Sequence, residues 1–168
     1  AFYRLADPGA AFVGAHEVVF EMQLVSSSSP YAHRTGAAVQ VVTGANVGQA
    51  LFIGEGEVFF ITALGRGDEA NIDTTSQINE YRLELSGSTS GSAIALYVNN
   101  VLVISDVLFT DAPNNGGSAR IAFGEFSGAA HGVSKWLSFW HDAAVDSDGD
   151  AVHDAIDNCP DDENPDQG

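Results

Sequence analysis

Residues 80 to 85 read Glu-Tyr-Arg-Leu-Glu-Leu: Tyr81, Leu83 and Leu85 fall on one parity, and Glu80, Arg82 and Glu84 on the other. Successive side chains point to opposite faces in an extended strand, so this stretch predicts a strand with one face in a core and one in water. Residues 19 to 24 repeat the pattern, with Phe20, Met22 and Leu24 on one side and Glu21 and Gln23 on the other. Further runs rich in Val, Ile, Phe and Tyr occur at 39–42, 51–53, 58–64, 94–98, 101–104, 120–123 and 133–140, separated by clusters of Gly, Ser, Asn and Asp.

Between two of these runs stand Asn99 and Asn100, and asparagine tolerates the positive φ that a two-residue hairpin turn requires. No segment longer than about ten residues carries a helical period. Many short strands at roughly regular spacing predict an all-β fold of two packed antiparallel sheets, a jelly-roll sandwich. A chain of 168 residues, 45% hydrophobic, is large enough for one such domain and a short appendage.

Charge narrows the partners. The chain has 23 acidic residues against six basic ones (Arg4, Arg34, Arg66, Arg82, Arg120 and Lys135), a formal net charge of −17. Nucleic acid and anionic membranes are bound through clustered Lys and Arg, so both are excluded as expected partners and cations are favoured. There is no apolar run of the roughly 18–20 residues that span a bilayer, and no signal-peptide pattern. The expectation is a soluble, processed or excised fragment that does not insert into a membrane.

Nine of the 23 acids lie in the last 23 residues, from Asp146 onward, where Lys and Arg do not occur. The shift divides the chain into a β domain over 1–142 and an appendage over 143–168. Within the appendage Asp146, Asp148, Asp150, Asp154 and Asp157 occupy positions 1, 3, 5, 9 and 12 of a twelve-residue window, with the carbonyl of Val152 at position 7. Ca2+ takes six to eight hard oxygen ligands, and this spacing lets carboxylates converge on one ion from a tight loop. Acidic runs are often only solvated tails. The regular placing of Gly149, Val152, Ile156 and the Asn158-Cys159-Pro160 turn argues for a folded loop.

The pattern D-x-D-G-D-x-V-x-D-x-x-D-N-C-P-x-x-x-N-P-x-Q, from Asp146 to Gln167, resembles the thrombospondin type 3 repeat. The resemblance implies a calcium-stapled module, often with two ions per repeat, in which Asp146, Asp148, Asp150, Asp154 and Asp157 are ligands and Asn158, Asp161 and Asn164 support a second, incomplete site. It also implies that Cys159, the one cysteine, pairs with a cysteine of a neighbouring repeat that this sequence does not contain. Ala151 departs from the family's glycine at position 6, where a Cβ in a left-handed conformation costs on the order of 1 kcal/mol. The lone cysteine and the abrupt Asn-Pro-Asp-Gln-Gly ending give the expectation that the sequence is cut from a longer protein.

The β domain has a resemblance of its own. The segments EYRLELSG, IALYVNNVLV, ARIAFGEFS and GVSKWLSFW are similar to the later strands of a concanavalin A-like or laminin G-like jelly roll. That fold recognises glycans, serves in adhesion and carries some glycoside hydrolases, so the resemblance by itself does not choose among them.

Catalytic constellations are weak. Glu55 and Glu57 share one parity and are the nearest approach to the paired carboxylates of a glycosidase, with an exposed strand end as the plainer reading. The five histidines lack metal-binding spacing, and no G-x-S-x-G elbow is present. Arg66-Gly67-Asp68, an integrin-type tripeptide, falls in an expected loop, and Asp68, Glu69 and Asp73 near it form a weaker candidate calcium group. Trp136 and Trp140 share a parity and read as core residues in preference to a sugar platform. Tyr31 is the candidate exposed aromatic for ligand binding.

The expectation is therefore a non-enzymatic, calcium-binding, extracellular or cell-surface module. It would serve in adhesion or glycan recognition, binding a glycan or another surface protein, with the type 3 repeat as a connector rigidified by calcium. The second expectation is a non-catalytic, carbohydrate-binding accessory of a secreted polysaccharide-degrading enzyme.

Overall fold

The computed structural model describes residues 15–29, 35–43, 47–62, 65–110, 119–125, 131–141 and 159, together with the backbone of 2–6. They form two antiparallel sheets, as the alternation predicts. One runs in the order β1 (Phe2–Ala6), β11 (Arg120–Gly124), β3 (Ala37–Thr43), β4 (Val47–Gly54), β5 (Glu57–Thr62) and β6 (Gly65–Asn71), with β10 (Phe109–Thr110) pairing the start of β4. The other is β12 (His131–His141), β2 (His16–Ser28), β7 (Asn79–Leu85), β8 (Ala93–Val98) and β9 (Val101–Val107).

The inner faces meet in one apolar core. Phe20, Met22 and Leu24 of β2 and Tyr81, Leu83 and Leu85 of β7 are all buried, packed with Val39, Leu51, Ile53 and Phe60 of the facing sheet. An aromatic group closes one end: Phe20 stacks on Tyr81 at 5.0 Å between ring centroids, and Phe123 on Phe139 at 4.2 Å. Burial raises the Tyr81 phenol to a pKa of about 12, because an ionised oxygen would lose its hydration there.

The turn between β8 and β9 is the expected one. Asn99 and Asn100 adopt φ of 50° and 65°, the pair of left-handed residues of a type I′ hairpin. β12 crosses so close to the start of β3 that a Cβ on Gly132 would stand within 2.6 Å of Gly36 Cα, and nearer still to its carbonyl. Glycine is required at that crossing because backbone meets backbone.

Two expectations are corrected here. The pairing of β12 with β2 slips between Trp136 and Ser138, leaving Leu137 unpaired and 66% exposed. This β-bulge reverses the parity of the rest of the strand. Trp136 and Phe139 both pack on the core, whereas Trp140 points outward and is 53% exposed. The segment expected to be a loop around Arg66-Gly67-Asp68 is the strand β6. Its Arg66 lies 4.0 Å over the Phe59 ring and pairs with Glu57 and Glu69, which raises the guanidinium pKa against the opposing effect of burial.

Candidate functional site

Each sheet also has an outer face, and the two differ. On the β1-to-β6 sheet, Ala38, Ala50, Phe52, Phe59 and Ile61 form a second buried apolar cluster. Beside it Arg120 Nε and Nη2 donate to Gln40 Oε1 at 3.3 and 3.1 Å, and both residues are buried. Among the described residues, the β3, β4 and β5 part of that face is buried. The outer face of the β12-to-β9 sheet is open, and it is built from the polar parity of its strands.

Strand register arranges this face in rows. Trp140 lies opposite Val19, Val19 opposite Arg82, Arg82 opposite Tyr97, and Tyr97 opposite Leu102, so one row crosses all five strands. On one side of it Glu17 faces Glu84, and on the other Glu21 faces Glu80. The result is a track of aromatic, aliphatic and guanidinium surface bounded by two pairs of carboxylates.

Arg82 sits at the centre. Its Nη1 donates to Glu17 Oε1 at 3.3 Å and to Glu84 Oε1, and its Cζ lies 4.3 Å above the centroid of the Tyr97 ring, a cation–π stack. Nε has no hydrogen-bond partner among the described residues. Glu21 accepts from Ser138 Oγ at 2.8 Å. Beside the row, Ala93 and Ala95 are too small to fill the space between Glu84 and Ser86, which leaves a shallow depression of about 470 Å³ with Glu17 on its rim.

Like charges directly opposite on neighbouring strands are destabilising, and Arg82, donating to both Glu17 and Glu84, offsets the repulsion within that pair.

Neither a protein-family model nor a curated protein sequence matches the chain. Solved structures do. An endo-β-1,4-glucuronan lyase from the fungus Trichoderma reesei superposes with a TM-score of 0.50 at 8% identity, over 83% of this chain and 73% of that one. A sialidase superposes with a TM-score of 0.52 at 13% identity, over 89% of this chain but 15% of its own. A carbohydrate binding module from Bacillus subtilis gives a TM-score of 0.48 at 9% identity, over 76% of this chain and 74% of that one. At identities this low the first two establish a shared sandwich fold and leave the chemistry open.

The residues expected to hold calcium (Asp146, Asp148, Asp150, Val152, Asp154, Asp157, Asn158, Asp161 and Asn164) and the expected ligand contact Tyr31 lie outside the described residues. Cys159 is described and exposed. Among the described residues no three His, Cys, Asp or Glu side chains come together as a metal group. Asp73 is occupied locally instead: its carboxylate accepts from the Ser76 hydroxyl and from the backbone N–H of Ser76 and Thr75, which lowers its pKa. Glu55 and Glu57 are held by separate partners: Glu55, in the β4–β5 turn, accepts from the Ser27 N–H of β2, and Glu57 binds Arg66.

Glu17, Arg82, Glu84 and Tyr97 do not stand out as site residues in the sequence, and Trp140 reads there as a core residue in preference to a sugar platform. The signal present is the polar parity of β7. What it lacks is the register that sets Arg82 beside Glu17, a contact 65 residues away in the chain.

Proposed function

We propose that this chain is a non-catalytic glycan-binding module of an extracellular or cell-surface protein, and that it holds sugar on the open face of the β12-to-β9 sheet. One observation carries the reading: the row of exposed Trp140 and half-buried Val19, Arg82 and Tyr97, with a glutamate pair along each side. A pyranose ring offers an apolar C–H face rimmed by hydroxyls, and a site for it combines aromatic or aliphatic surface with a few placed polar groups. The carboxylates accept hydrogen bonds from hydroxyls, and Arg82 donates. Support at the level of the fold comes from two proteins of this architecture named for glycan chemistry, the glucuronan lyase and the sialidase.

The acidic tail forms the second part of the proposal. Its donor set is all oxygen, so Ca2+ held by Asp146, Asp148, Asp150, Asp154, Asp157 and the Val152 carbonyl orders residues 143–168 as a rigid connector. By the same resemblance Cys159 links to a cysteine of an adjoining repeat.

Two measurements test this. Screening the protein on a glycan array in millimolar Ca2+, beside Arg82→Ala and Tyr97→Ala, is expected to give hits that both variants weaken by tenfold or more. Absence of any hit removes the sugar reading. Calorimetric titration of Ca2+ with proteolysis of the tail is expected to show stoichiometric binding and a newly protected C-terminus, and no binding below several millimolar removes the connector.

A second reading is favoured by the 15% of the sialidase chain that this fold occupies. On that reading the module is an accessory of a larger secreted polysaccharide-degrading enzyme. The flanking sequence decides: further repeats and anchors mean adhesion, and a hydrolase domain means the accessory role.

A further inference from the structure

Resting on that glycan reading, the geometry points to a more specific ligand: we infer that the open face takes a neutral, extended oligosaccharide lying across the strands from Trp140 to Tyr97.

Direction and length come from register. Trp140 and Tyr97 are separated by three inter-strand steps through Val19 and Arg82. Neighbouring strands lie about 4.8 Å apart, close to the advance of one pyranose unit in an extended chain, so the track accommodates about three sugars. One ring rests on the Trp140 side chain, one over Val19, and one at the Arg82–Tyr97 stack. The glutamate pairs run parallel to the track on both sides, where equatorial hydroxyls of an extended chain project.

Neutrality comes from charge. The face carries Glu17, Glu21, Glu80 and Glu84 against Arg82 and Lys135, and Arg82 is already engaged by two of the four. A sugar carboxylate placed on the track meets a field dominated by fixed carboxylates, and the one central guanidinium has no uncompensated charge to offer. Hydroxyl groups meet acceptors on both edges without that repulsion. The specificity expected is therefore opposite to that of a basic cleft for acidic polysaccharides.

The test uses an array holding neutral β-1,4-linked gluco-oligosaccharides and β-1,4-linked glucuronic acid oligomers, which differ only in the carboxylate at C6, alongside other neutral and acidic glycans. Titration calorimetry is then run on one to five sugar units of the best neutral ligand. Expected are neutral hits, affinity rising to three or four units and then level, and acidic counterparts at least tenfold weaker at low salt with the gap narrowing as salt is added. Trp140→Ala should abolish the gain from the terminal sugar while leaving shorter ligands within twofold. Glu17→Gln with Glu84→Gln should raise affinity for the acidic oligomers. Hits confined to acidic glycans, or affinity independent of length, overturn this inference and leave the glycan reading standing. No hit on any glycan overturns both.

Discussion

The chain has two tryptophans, and the bulge at Leu137 sends them to opposite sides of one strand. Trp136→Ala removes a ring packed on Phe20, Phe123 and Phe139 at centroid separations of 5.4, 4.9 and 6.3 Å, with Nε1 donating to Ser134 Oγ at 2.8 Å. Truncating a buried Trp costs about 3–5 kcal/mol, and partial exposure places Trp136 at the low end, about 3 kcal/mol. In a chain of this size that lowers Tm by about 6–12 °C. Trp140 is 53% exposed, so Trp140→Ala gives up only part of its packing and loses at most about 1 kcal/mol. Urea unfolding followed by circular dichroism measures both. Each variant also leaves one tryptophan as its own reporter: Trp136 alone should emit to the blue and resist acrylamide, and Trp140 alone should emit to the red and be quenched readily. Equal losses of stability, or two tryptophans quenched alike, would refute the bulge and with it the proposed sugar platform.

Ionisation of Tyr81 gives a pH test. Its pKa is about 12 in the fold against 10.0 in the open chain, so the unfolded state loses its proton first. The stability this supplies is complete below pH 10 and falls between pH 10 and about 12, by about 2–3 kcal/mol, readable by urea melts at each pH with Tyr81→Phe as the control. Gly132→Ala forces a Cβ against the Gly36 backbone and should cost about 1–3 kcal/mol at unchanged m-value, whereas a loss below 0.5 kcal/mol would deny the close crossing. In the β8–β9 turn, Asn100→Ala should destabilise by about 1 kcal/mol and Asn100→Gly should not, because only the first puts a poorly tolerated Cβ at φ of 65°.

The parity of residues is legible in the sequence. Tyr81, Leu83 and Leu85 face inward and Glu80, Arg82 and Glu84 outward as their alternation requires, and the Asn99-Asn100 hairpin closes as its composition demands. Three things are not legible. A bulge inserts one residue without changing composition, so Trp140 cannot be told from Trp136 by counting. The near-continuous apolar runs of β3, β4 and β5 signal burial on both faces; their meaning, an outer face buried along those strands, emerges only with the pairing. And Gly65–Asn71, polar enough to read as loop, is held as a strand by β5 and by the pairing of Arg66 with Glu57. The open site depends on strand register, which links residues many tens of positions apart and leaves no local mark.

On the open sheet, the proposed sugar contacts and the core occupy alternate residues of the same strands. Glu17, Val19, Glu21, Arg82 and Tyr97 can vary while Val18, Phe20, Tyr81, Leu83 and Leu96 keep the core intact. Such a surface is free to drift between ligands over evolutionary time at little risk to the fold. A library randomised at those five outward positions should consequently yield mostly folded members with new binding preferences, making this sandwich a scaffold for selection.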